Sequence, residues 1–180
     1  MSYDFLLMPR HPRQSWREVL DANEQRILEQ GDSPLSPAAR TRLEQIADHL
    51  QAHDPQLERI TTKRYIELTL ADDTGIQVSL FPGEAAVAVA YWHTGPDARA
   101  VMQIVWAYLV ILEQETGWEV YDRQLGRSLN RRQDLDEVTG WYADLTARLH
   151  KRFPKALRPP DYSSGGPRSA SSVSVPPLAV

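Results

Sequence analysis

The chain contains no cysteine. That excludes disulfides, thiolate nucleophiles and cysteine-type zinc sites together, and it fits a reducing cytoplasm. No apolar run is long enough to cross a bilayer. The most apolar stretch, residues 101–112, is short and closely flanked by charge. The Met-Ser-Tyr-Asp start has no basic segment leading into an apolar one, so no secretory signal is expected. Gly-x-Ser-x-Gly elbows, phosphate loops and dinucleotide fingerprints are missing, and the Gly165-Gly166 pair has no strand before it. There is no internal repeat. With 24 acidic and 20 basic residues the net charge is −4, which disfavours general nucleic-acid binding through phosphates. No cofactor is implied.

The 180 residues, 42% hydrophobic and 24% charged, suit one globular domain with a sizeable core. Residues 63–93 organise it. Ile66, Leu68 and Leu70 alternate with Tyr65, Glu67 and Thr69, the period of two of a half-buried strand. Ala71-Asp72-Asp73-Thr74-Gly75 breaks the rhythm with turn residues. Ile76, Val78 and Leu80 resume it, and Pro82-Gly83 marks a second turn. In the third strand Val87, Val89 and Tyr91 share one face, and Ala86, Ala88, Ala90 and Trp92 the other. Three short strands with tight turns predict an antiparallel meander. The alanines either admit a closely packed element or leave that face shallow and exposed.

Residues 3–8 predict a further strand buried on both faces. Ser15 opens a helix with Glu18 at capping-box spacing, but Val19, Leu20 and Ile27 give it a sparse apolar stripe, so it is expected at the periphery. Ser36-Pro37 caps a second helix carrying Ala39, Leu43, Ile46, Ala47 and Leu50. Thr94-Gly95-Pro96-Asp97 has capping-box spacing ahead of the strongest helix, residues 98–116. Val101, Ile104, Val105, Tyr108, Leu109 and Leu112 form its stripe, and Gly117 suits its C-cap. Residues 118–121 predict a fifth strand. A last helix follows a further capping-box spacing at Asp134–Glu137, with Leu135, Val138, Trp141, Tyr142, Leu145 and Leu149 defining its apolar face. The expected architecture is α+β, with about five antiparallel strands in the order β-α-α-β-β-β-α-β-α and helices mainly on one face. Residues 1–157 form the domain, and residues 158–180, rich in Pro, Ser and Gly, form a disordered tail.

The candidate chemistry is sparse. His93 stands at a strand end after Tyr91-Trp92 and before a helix start, so it serves either as a strand-end hydrogen-bonding group or beside an anion-favouring helix N-terminus. Asp122 or Glu119 would complete an acid–base pair if the strand ends adjoin, and a turn-forming Asp beside a solvated Arg123 is the plainer reading. His49 and His53 are four apart on a helix, but Leu50, Gln51 and Ala52 between them provide no HExxH glutamate, so no metal site is expected. Trp92, Trp106, Trp118 and Trp141 belong mostly to the core. Aromatics near a surface and ringed by carboxylates (Asp72, Asp73, Glu84, Asp97, Glu113, Glu115) would instead make a protein-binding face.

Several segments carry a resemblance. The Met-Ser-Tyr-Asp start, Gly75-Ile76-Gln77-Val78-Ser79-Leu80, Tyr91-Trp92-His93 and the run from Thr116-Gly117-Trp118 to Gln124-Leu125-Gly126 resemble small bacterial immunity-type proteins associated with polymorphic or contact-delivered toxins. The likeness covers roughly residues 1–150. It implies a cytoplasmic, non-enzymatic protein that binds a cognate toxin and occludes its active site. Asp72, Asp73, Glu84, Trp92, His93, Glu119, Tyr121, Asp122 and Arg123 are the candidate partner-binding residues. The alternatives are a small enzyme using His93 with Asp122 or Glu119, and a regulatory or scaffold domain whose tail carries the interaction.

Overall fold

The computed structural model describes residues 1–70 and 74–153. Among these, the chain forms β1 (Ser2–Met8), α1 (Trp16–Gln30), α2 (Pro37–His53), β2 (Leu57–Thr61), β3 (Ile66–Leu70), β4 (Ile76–Phe81), β5 (Glu84–Ala90), α3 (Pro96–Thr116), β6 (Glu119–Asp122), β7 (Arg127–Ser128) and α4 (Leu135–Arg152). The strands make one antiparallel sheet in the order β2-β3-β4-β5-β1-β6-β7. The α+β class is as expected, but the sheet has seven strands rather than five. β2 carries a single buried apolar residue, Leu57, and leaves Ile60 54% exposed, so it has no two-residue rhythm to announce it. β7 is two residues long and exists only through its pairing with β6. The expected tail over residues 158–180 lies outside the described residues.

The alternation read in the sequence decides which face is buried. Tyr3, Phe5 and Leu7 of β1, Ile66, Leu68 and Leu70 of β3, Ile76, Val78 and Leu80 of β4, and Ala85, Val87 and Val89 of β5 all turn inward and are buried. Each large aliphatic group so buried stabilises the fold by roughly 1.5–3 kcal/mol relative to exposure. β1 is not buried on both faces as expected: Asp4 and Leu6 on its outer side are half-buried, because cover on that side is partial. Helices α2, α3 and α4 form a layer over the inner face, with α3 in contact with both of its neighbours. That position explains its wide apolar arc, since a helix flanked on two sides and floored by a sheet buries more than one stripe. Val101, Met102, Val105, Trp106, Tyr108, Leu109 and Leu112 are buried, while Ile104 is only partly covered. On α4 the helix turns Val138, Tyr142 and Thr146 inward, which leaves Trp141, one residue round the helix, 47% exposed rather than in the core.

Two helix starts differ from expectation. α3 begins at Gly95 without a side-chain cap; the Asp97 amide donates to the Thr94 carbonyl instead, at 3.2 Å. Asp134 precedes α4, but its carboxylate accepts from Arg127 at 2.8 Å and from the Asn130 amide at 2.6 Å, so it clamps the loop rather than the helix. The Ser15–Glu18 capping box and the Ser36 cap do form, and Gly117 ends α3 in the left-handed conformation at φ 68°.

Gly75 is fixed by its surroundings as well as by its backbone. It sits at φ +62°, and a Cβ there would run into the Trp92 indole and lie 2.9 Å from the Ala90 methyl. Gly75→Ala is expected to destabilise the protein by about 1–3 kcal/mol, combining left-handed strain with the clash. Urea unfolding of the single variant and of the same change in a Trp92→Ala background checks this. The cost should shrink in the double variant, where the backbone term and the Ala90 contact remain but the indole clash is gone.

Candidate functional site

The sheet's outer face is where function has room to act. α1 crosses it at the end marked by Glu119, Met8, Glu84 and Phe81. Its sparse apolar stripe cannot hold it there unaided, and polar contacts do much of the work. At its start Trp16 packs on Tyr121 of β6 with ring centroids 4.5 Å apart, and its indole N–H donates to Ser128 Oγ at 2.6 Å. Ser128 in turn donates to Glu119, which also receives Arg10 at 2.9 Å, and the Arg10 guanidinium lies over the Trp16 ring. Further along, Asn23 donates to Glu84 at 2.7 Å and Arg26 to the Pro82 carbonyl. This is the peripheral helix expected from the sequence, and it leaves most of β3 and β4 uncovered.

Between α1 and the outer side of β3–β4 lies a groove of about 440 Å³. Ile27 and Gln30 of α1 form one wall, and Tyr65, Glu67, Gln77, Ser79 and Phe81 form the floor. Strand register sets the floor: Glu67 lies opposite Ser79 on one side and Ile60 on the other. Tyr65 and Phe81 pack with centroids 5.2 Å apart. Ile27 and Ile60 are each more than half exposed. Concave apolar surface with a few polar groups is the usual chemistry of a binding site.

The residues marked by sequence do not form one surface. Asp72 and Asp73 lie outside the described residues. Trp92 and His93 are half-buried at the opposite end of the sheet from α1, where His93 Nε2 donates to the Thr74 carbonyl at 2.7 Å and ties the β3–β4 connection to the start of α3. Glu84 is held under α1 by Asn23, and Glu119 and Tyr121 belong to the Trp16 anchor. Arg123 is exposed. Asp122 is fully buried and so cannot meet a partner, a correction to its place in the candidate set. Its Oδ2 accepts from the Tyr3 hydroxyl at 2.7 Å, and its Oδ1 takes the amides of Gln124 and Leu125 at 2.8 and 2.9 Å. The acid–base pairings with His93 are not assembled either: Glu119 stands at the other end of the sheet, and Asp122 is committed to Tyr3 and its own turn. Among the wider acidic set, Glu113 pairs with Arg131 at 3.2 Å and Glu115 with His49 at 2.6 Å. His53 stands edge-on to Tyr108, and no metal-binding group of three ligands occurs among the described residues.

No protein-family model, no curated protein and no solved structure matches this chain. The groove residues Ile27, Tyr65, Glu67, Gln77, Ser79 and Phe81 were not singled out as a site by the sequence. The signal of the floor residues was membership of the polar side of two strands, which any solvated face shares, and that of Ile27 was a place in the sparse apolar stripe of α1.

Asp122 is embedded among tyrosines. Tyr91 stacks on Tyr142 at 6.1 Å, and Tyr3 meets both edge-on. Burial raises the Tyr3 hydroxyl well above its usual range, reinforced by the bond to Asp122, and pushes Tyr91 up to about 12. Burial also raises the Asp122 carboxyl, against the lowering pull of the Leu125 amide, the Tyr3 hydroxyl, the Gln124 amide and the Arg127 charge. The folded chain therefore holds this proton more tightly than the unfolded chain. The contribution to stability is full below the unfolded value of 3.8 and is lost as pH rises through the folded value. Asp122→Asn removes that dependence. The difference in unfolding free energy, variant minus wild type, should move in the variant's favour between pH 3 and pH 7 in urea titrations, and a pH-independent difference would contradict it.

Proposed function

We propose that the chain is a cytoplasmic, non-enzymatic binding protein of immunity type, which neutralises a cognate bacterial toxin by covering its active site, and that the outer face of the sheet is its working surface. The observation that carries the surface is the groove: α1 covers only one end of the outer face, leaving an aromatic-floored depression beside exposed Ile27 and Ile60. A soluble domain that hides its inner face under three helices and leaves the other open has a standing place for a partner protein. The net charge of −4 favours encounter with a cationic cleft. The toxin as partner rests on the resemblance of the segments around Gly75, Tyr91 and Trp118. No described helix is long and apolar enough to cross a membrane. Neither the enzyme nor the tail-borne scaffold gains a supporting observation, since the acid–base pairs are not brought together and the tail lies outside the described residues.

Co-expression of the full chain with the protein encoded beside it provides the test. Growth should be rescued and the two proteins should co-purify. Persistent toxicity with no complex would refute the proposal.

A further inference from the structure

The groove holds one carboxylate that nothing else among the described residues answers. Arg26 on the wall is engaged by the Pro82 carbonyl, by Asn23 Oδ1 at 2.5 Å and by Glu84 at 3.8 Å. Arg64 is engaged by Asp32 at 2.8 Å. Glu84 receives Asn23 as well as Arg26. Glu67 is different: among the described residues no hydrogen-bond donor and no cation reaches its side chain, although it is half-buried between Ile60 and Ser79. The Gln77 amide, the Ser79 hydroxyl and the Tyr65 hydroxyl around it also have no side-chain partner among the described residues, and all line the same groove. A half-buried carboxylate beside apolar walls is poorly solvated, and a cation arriving there gains more than it would on an open surface.

Building on the binding reading above, we infer that the groove receives an arginine side chain projected by the partner protein, its guanidinium paired with Glu67 and lying against the Tyr65–Phe81 aromatic pair. The chemistry selects arginine over lysine. A planar guanidinium donates two parallel bonds to a carboxylate and lies flat on a ring, whereas an ammonium does neither. Its remaining N–H groups find acceptors in Ser79 Oγ and Gln77 Oε1. Ile27 and Ile60 flank the aliphatic stem.

The test is a titration of the full chain, ¹⁵N-labelled, with N-acetyl-arginine amide, N-acetyl-lysine amide and N-acetyl-glutamine amide, followed by amide NMR shifts. Arginine amide should move the signals of Tyr65, Glu67, Gln77 and Ser79 in a saturable way, with lysine amide several-fold weaker and glutamine amide inert. Glu67→Gln should weaken arginine binding by about tenfold and Tyr65→Leu by a smaller factor, while Glu24→Gln on the exposed side of α1 leaves it unchanged. The spectra themselves show whether each variant is folded, and the two groove variants test different contacts. Shifts scattered over the surface, equal response to lysine, or undiminished binding in folded Glu67→Gln would overturn the inference. A toxin complex that forms while this titration fails leaves the binding reading standing and removes only the arginine.

Discussion

A sheet with one continuous apolar face must keep that face out of water. Here the face runs through the inward residues of β1, β3, β4 and β5 and is covered by α2, α3 and α4. The remaining features follow from that burial. α3, lying between two helices over the sheet, must be apolar over a wide arc, and it is. The three-helix layer leaves α1 without a place on the inner side, so α1 crosses the outer face. Having little apolar surface to bury, it is held by Trp16, Asn23 and Arg26 contacts to β6 and to the β4–β5 turn. The groove exists because that helix is too short and too polar to cover the whole face.

The same constraint explains the buried polar residues. Asp122 falls on the inner face by strand alternation, two residues after Val120. A carboxylate in that position must be satisfied, and three donors meet it. Two of these donors are amides of the turn that leads to β7, so the residue that looked like one half of a catalytic pair instead sets the geometry of a connection. His93 plays a comparable part at the far end, tying Thr74 in the β3–β4 connection to the segment before α3. Both are polar groups committed to the fold, whereas Glu67 is not.

The sequence determined the local elements wherever a regular period or a cap was strong. The two-residue rhythm of residues 66–90, the capping box at Ser15, the Ser36 cap and the αL glycine at 117 all depend on neighbours a few positions apart, and such interactions are written in the chain itself. β2 was missed because pairing with β3, and no period of its own, makes it a strand. The capping boxes at Thr94 and Asp134 were misread because nearby groups compete: the Asp97 amide turns to the Thr94 carbonyl, and Arg127 takes the Asp134 carboxylate away from α4. Only the tertiary structure could insert β1 between β5 and β6, bury Asp122 against Tyr3, and set Glu67 on the floor of a groove walled by α1. Those placements join residues far apart in the chain, and a period or a motif records which way a side chain points but not what will be packed against it.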